Sequence, residues 1–139
     1  YFVMGSGSTV DGIMQVLGLP NTLLGVDVVK ANEVITSDVA ARQLETLITD
    51  KSVKIVVTLI GGQGHIFGRG NQQLSPVVIK QTGRDNLIIV ATKAKLKSLD
   101  SRPIVVDTGD KELDSALSGP INVVTGYRDH VLYPITDYN

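Results

Sequence analysis

Residues 61–76 read GGQGHIFGRGNQQLSP and bring backbone freedom, a cation and hydrogen-bonding amides into one short stretch. Gly61, Gly62, Gly64, Gly68 and Gly70 let the chain take positive φ and bring N–H groups up to a ligand with no Cβ in the way. Successive N–H groups in such turns form concavities that hold anions. Arg69 offers a planar fork suited to a phosphate. Asn71, Gln72 and Gln73 can hydrogen-bond a ribose or an adenine edge, and the stretch leads to a helix start at Ser75, which also favours negative charge. His65 either contacts a phosphate or a base, or is an exposed bystander. The chemistry these residues suggest is nucleotide binding. The stretch is not a Walker A loop, since the Gly-Lys-Ser/Thr ending is missing. Counted from Gly62 and Gly64, Phe67 stands where a dinucleotide fingerprint needs its third glycine. The plain alternative is a long connector whose glycines serve turns.

A second stretch of the same character is GSGST, residues 5–9. Gly5 and Gly7 free the backbone, Ser6, Ser8 and Thr9 supply hydroxyls, and a helix that follows points its positive end there. Val10 takes the place of the third fingerprint glycine, and a capped helix start explains the segment equally well. Two carboxylates stand out. Asp27 interrupts the apolar run LLGVDVV, either facing outward from a half-exposed strand or buried and paired. Asp107 ends PIVVD, where α/β folds place ligands, although capping in DTGD accounts for it too. His130 beside Asp129 reads as a turn residue.

The elements that must carry these residues alternate along the chain. YFVM is a strand, and Val10, Ile13, Met14 and Leu17 then recur at helical spacing, with Ser8 and Asp11 as a capping box and Gly18 as the stop. TLLGVDVV and VITSDV pair as a hairpin turning near Ala31 and Asn32, and Leu44, Leu47 and Ile48 mark a second helix. VKIVVTLI, residues 53–60, is apolar enough to be buried on both faces, as interior strands are. Ser75-Pro76 opens a third helix that Gly83 closes. NLIIVAT is a strand, residues 93–99 a short helix, PIVVDTG a strand, and Asp110 caps DKELDSAL before Gly119 ends it. INVVTGYRDHVLYPI closes the chain as a hairpin. Crossover units combined with hairpins predict an α/β fold with a mixed β-sheet and packed helices. VKIVVTLI, NLIIVAT and PIVVD are expected as neighbours or near-neighbours in one sheet.

Composition bounds what this fold can do. The 139 residues amount to one domain, with a 42% hydrophobic content that can build a core. A net charge of −1 argues against nonspecific binding to nucleic acid or a membrane surface. With no cysteine, disulfides and thiolate metal sites are excluded, and two histidines are too few for a histidine cluster, so no metal ligands are assigned. No apolar run approaches the length of a membrane span and no signal peptide is visible, so a cytoplasmic location is the expectation. Because the chain starts in an apolar strand without an initiator methionine, it reads as part of a longer protein.

Taken together, TLIGGQGHIFGRGNQQLSP, the strand NLIIVAT and SRPIVVDTG resemble the C-terminal half of the ATP-NAD kinase family. In ordinary members a Thr-x-x-Gly-Ser-Thr-Ala-Tyr segment, an Asn and a glycine pair ending in Pro stand here. A strand and an Arg-Pro-Ile-Val strand follow, and Arg102-Pro103-Ile104-Val105 matches that last piece. With YFVMGSGSTVDGIMQVLGLPNTLLGVDVV in front, the chain resembles the branch of predicted polyphosphate- or ATP-dependent NAD kinases grouped with acetoin-catabolism protein X more closely than it resembles ordinary members. The likeness covers nearly the whole chain. Gly61-Gly62-Gln63-Gly64-His65 departs from the family's hydroxyl and aromatic pattern, so only the glycine turn after a buried strand, Asn71 and Pro76 carry over by position. Asn32-Glu33 matches a family pair but reads here as a hairpin turn.

The resemblance implies phosphoryl transfer from ATP or polyphosphate, with Mg2+, to the 2′-hydroxyl of NAD, giving NADP. It implies NAD and the N-terminal domain of the same protein as partners, within a homo-oligomer. The family's Gly-Gly-Asp-Gly-Thr motif, whose aspartate is taken as the base, lies in that N-terminal domain and no such string occurs in these 139 residues. This domain alone is therefore expected to lack the catalytic base. The alternatives are a kinase of the same superfamily acting on another hydroxyl, and a non-catalytic nucleotide-binding or oligomerisation domain.

Overall fold

A computed structural model describes residues 1–5, 8–19, 27–31, 33–36, 41–59, 64–67, 74–126 and 128–137, with only the backbone at 8, 11, 36, 41 and 42. The chain opens with β1 (Phe2–Met4), α1 (Ser8–Val16), β2 (Asp27–Lys30), β3 (Glu33–Thr36) and α2 (Ala41–Ile48). It continues through β4 (Lys54–Thr58), β5 (His65–Phe67), α3 (Pro76–Thr82), β6 (Leu87–Val90) and α4 (Lys93–Lys97). β7 (Ile104–Val106), α5 (Lys111–Leu117), β8 (Gly119–Gly126) and β9 (Asp129–Asp137) complete it.

The helix starts follow from local chemistry. Ser75 Oγ accepts from the Val78 N–H at 3.4 Å, Thr92 caps α4 through the Lys95 N–H at 3.1 Å, and Asp110 caps α5 through the Leu113 N–H at 3.1 Å. Each satisfies one of the donors that a helix start leaves open. Pro76 opens α3, and Gly83, at φ +84°, ends it with its N–H on the Ile79 carbonyl.

Among the described residues the strands form one mixed sheet in the order β3-β2-β1-β4-β6-β8-β9-β7-β5. β1, β4, β6 and β8 run parallel, and β9 returns antiparallel to β8. β7 is parallel to β9 and β5 parallel to β7. The expected mixed α/β fold is therefore present. β4 and β6 are neighbours as expected, whereas the hairpin of β8 and β9 stands between β6 and β7. The β2–β3 hairpin also forms, with Val29 opposite Val34; its turn at Asn32 and the first residues of TLLGVDVV lie outside the described residues.

The sheet is curled. Leu59 and His65 are six residues apart, a reach of at most about 22 Å. From β4 to β5 there are five strand steps, roughly 24 Å if the sheet lay flat. The curl lets one apolar core take in Val3 of β1, Ile55 and Val57 of β4, Ile89 of β6 and Ile66 and Phe67 of β5, together with Leu44, Ile48, Val78 and Ile79 of α2 and α3. A smaller core on the other face joins Met4, Val56 and Val90 to Val10 and Met14 of α1. Burying each such side chain contributes about 1.5–3 kcal/mol.

Candidate functional site

The strand directions divide the glycine-rich stretch in two. Residues 61–76 read as a single loop, but His65–Phe67 is a buried strand. A three-residue strand between glycines is too short to show a period, so sequence pattern passed over it. The chain leaves β4 at one edge of the sheet and leaves β5, which runs the opposite way, at the other edge. Gly61 and Gly62 therefore belong to the connection at the first edge, and Gly68, Arg69, Gly70, Asn71 and Gln72 to the connection beginning at the second. These seven residues, like Ser6, Gly7 and Gln73, lie outside the described residues.

The first edge is where the chain leaves both β1 and β4. β1 and β4 are adjacent and parallel, with Met4 opposite Val56, so residues 5–9 and the connection after Leu59 emerge side by side. They then part. The chain after β1 runs into α1 on one face, while the chain after β4 leads to β5 and α3 on the other. Adjacent parallel strands whose connections go to opposite faces leave a crevice at their C-terminal ends, the place where open α/β sheets bind ligands.

Three candidate residues at this edge have packing duties. Gly5 donates its N–H to the Val56 carbonyl at 2.8 Å, and a Cβ on it would stand 3.1 Å from that oxygen and 3.2 Å from Val57 Cγ1. Gly64 has φ +75°, and a Cβ there would meet Leu99 Cδ2 at 2.6 Å; its carbonyl accepts from the Val105 N–H. His65 is buried within β5 beside β7, so it is not an exposed bystander. Thr9 is partly exposed in the first turn of α1, where Ser8 supplies backbone alone. Among the candidates, Thr9 thus keeps a described side chain with access to solvent at the crevice.

The charged groups nearby are largely committed. Asp27, opposite Met4, is fully buried and has an interaction partner, which settles the choice left by the sequence in favour of a buried carboxylate. Lys93 and Asp129 pair at 2.8 Å at the same edge. That hydrogen bond holds the Asp129 carboxyl below its usual range. Neither carboxylate stands open to take a proton from a hydroxyl. Among the described residues no three His, Asp or Glu side chains gather, so they form no cage for magnesium.

Elsewhere, features read as candidates serve the fold. The Ser75 hydroxyl donates to Glu45 Oε1 at 2.7 Å, so the protein's own carboxylate sits at the start of α3. Thr108 donates its N–H and hydroxyl to Asp114 Oδ1 at 3.0 and 2.6 Å, and Asp110 caps α5 while pairing with Lys80. His130 falls within β9, opposite Val124, rather than in a turn. Arg102 donates from Nε to the Leu99 carbonyl at 2.8 Å and so fixes the turn before β7. Sequence reasoning missed the Lys93–Asp129 pair and the crevice itself, because both arise from strand order. No helix among the described residues is long and apolar enough to cross a membrane.

A family model described as the ATP-NAD kinase C-terminal domain matches residues 2–135. Neither the curated proteins nor the solved structures contain a match to the chain.

Proposed function

The chain belongs to the ATP-NAD kinase C-terminal domain family, and from that membership we propose that it is the nucleotide-holding domain of an enzyme that phosphorylates NAD. In this reading the phosphates lie over the C-terminal ends of β1 and β4. Backbone N–H groups of Ser6, Gly7, Ser8 and Thr9 and of Gly61, Gly62, Gly64 and His65 surround them, the Thr9 hydroxyl adds a donor, and Gly5, whose N–H is held by the Val56 carbonyl, anchors the segment to β4. The start of α1 favours the negative charge. Gly68, Arg69, Gly70, Asn71 and Gln72 are not assigned to the phosphates in this reading, because they follow β5, which the chain leaves at the other edge. The observation that carries the proposal is the family match over 2–135, supported by β1 and β4 ending side by side, each ahead of a glycine-rich segment of the sequence, at a topological switch point.

Phosphoryl transfer asks the protein mainly for positioning and charge stabilisation. This domain would supply the positioning. The group that takes the proton from the 2′-hydroxyl would come from a partner domain of the same protein, because the open carboxylate such a step needs is missing among the described residues at the crevice. ATP, or polyphosphate, is the donor in this proposal. The test is a phosphorylation assay with NAD and related hydroxyl compounds, each with ATP and with polyphosphate. It compares the 139-residue chain with a longer protein in which the chain is joined to a Gly-Gly-Asp-Gly-Thr domain. The longer protein should form NADP and the chain alone should not. Turnover by the chain alone would place the base within it, and a longer protein inert toward NAD would shift the proposal to another hydroxyl acceptor.

A further inference from the structure

Lys93 stands at the sheet edge where the phosphates are proposed to lie. β6 is adjacent and parallel to β4, so the chain leaves both at one edge, and Lys93 opens α4 just after β6 ends at Val90. Its backbone is fixed from both sides. The Ala91 N–H is held by the Val124 carbonyl at 3.0 Å, and the Thr92 hydroxyl caps α4 through the Lys95 N–H at 3.1 Å. The side chain is the part that can move. Its Nζ meets Asp129 Oδ2 at 2.8 Å, yet the two side chains are 68% and 44% exposed. An ion pair this open to water is weak and costs little to break. Strand order sets how far the lysine reaches. Asp129 begins β9, two strand steps from β6 and roughly 10 Å away, whereas β4 is one step off on the other side, roughly 5 Å. An ammonium on a flexible four-carbon stem that bridges toward β9 therefore also reaches the end of β4.

We propose that Lys93 leaves Asp129 when a linear chain of phosphates, from ATP or polyphosphate, binds at this edge, and donates hydrogen bonds to it. This rests on the nucleotide-binding role proposed for the domain and supplies the cation that role lacks. Backbone N–H groups and the start of α1 offer partial charges only, about half an elementary charge at a helix end, whereas a chain of phosphates carries several full negative ones. A point charge with three donors meets that need. Two other described cations in this region lie farther off. Arg128 is in the turn between β8 and β9, at least two strand steps from β4, and Lys97 is a full turn further along α4. Asp129 is three steps from β4, roughly 14 Å, so its release brings no open carboxylate to the phosphates. Asp129 thus neutralises Lys93 in the empty site and competes with the ligand for it.

The test uses the longer protein, in which the chain is joined to a Gly-Gly-Asp-Gly-Thr domain, titrated by calorimetry with ATP and, separately, with inorganic tripolyphosphate. Lys93→Ala should weaken both about ten- to a hundredfold, the loss of one charge-assisted hydrogen bond, and Lys93→Arg should restore most of it. Asp129→Asn should do the reverse and tighten binding up to about fivefold, the strength of an exposed ion pair read as an affinity. A pair that only braces the hairpin of β8 and β9 would make both variants lose affinity and Tm together. Lys111→Ala is the control and should change neither affinity, since it removes the same charge beyond β7, which the chain leaves at the other edge. Unchanged affinity in Lys93→Ala, equal losses in Lys93→Ala and Asp129→Asn, a loss for ATP alone, or no binding of either compound by the parent protein would each overturn the proposal. NADP formation by the same preparations separates this role of Lys93 from the activity proposed for the enzyme. Phosphorylation of NAD with an unchanged donor KM in Lys93→Ala would sink the role of Lys93 alone. Opposite shifts in binding without any NADP would support that role and sink the NAD assignment alone.

Discussion

Replacing Gly64 by alanine separates the packing role of this glycine from a ligand-binding one. Two costs arise in the folded state. Holding a residue with a Cβ in the left-handed region, at φ +75°, costs about 1–2 kcal/mol. The new Cβ also falls 2.6 Å from Leu99 Cδ2, and Leu99 is fully buried, so it yields only by repacking, at roughly 1–3 kcal/mol. The unfolded chain becomes less flexible and returns about 0.4–1 kcal/mol. The net loss is about 1–4.5 kcal/mol, which for a chain of this size lowers Tm by roughly 3–20 °C. The two terms part in a double-mutant cycle read by urea or thermal unfolding. Leu99→Ala alone should cost about 2–5 kcal/mol, because it opens a cavity. In that background Gly64→Ala should cost only the backbone strain, leaving a coupling energy of about 1–3 kcal/mol between the two sites. Costs that simply add, or a Gly64→Ala protein with an unchanged Tm, would refute the packing account of this glycine.

At the crevice, Gly62→Ala in the longer, NAD-binding protein should lower NAD affinity about tenfold with little change in Tm, measured by titration calorimetry and thermal melting side by side. Arg69→Ala should leave affinity almost unchanged. A loss of roughly ten- to a hundredfold, not fully restored by Arg69→Lys, would bring residues 68–72 into the site. The pair of Lys80 and Asp110 makes stability depend on pH and salt. Asp110 is held below its usual range first by the Lys80 hydrogen bond and then by the Leu113 N–H. Its stabilisation is therefore present above the ordinary carboxyl value near pH ~4 and is lost as pH falls through the lower folded-state value. Lys80 is raised by the same bond, so its share is present below its ordinary value near pH ~10.5 and is lost as pH rises through the higher folded-state value. The melting curves of Lys80→Ala should show a shallower pH dependence at both ends, and high salt should reduce the difference from the parent.

Much of this protein follows from its sequence alone. Helix starts at Ser75, Thr92 and Asp110, the stop at Gly83 and the buried runs of β4 and β6 depend on neighbours within a few residues, and such local chemistry is written in the order of side chains. The family could be recognised for the same reason, since its motifs are contiguous strings such as Arg102-Pro103-Ile104-Val105. Three things needed the tertiary structure. One is the strand order: a hairpin inserted between β6 and β7 changes no local pattern, yet it turns β7 and β5 around, so that the chain leaves β4 and β5 at opposite edges. Another is the purpose of a glycine. Gly5 and Gly64 read as openings for a ligand until Val56, Val57 and Leu99 are seen against them, and those neighbours are distant in the chain. The third is Asp27, which is fully buried opposite Met4 of β1, a strand distant from it in the chain. A residue's type limits what it can do, but which strand lies beside it and which face is left open are settled only by the packing of distant parts of the chain.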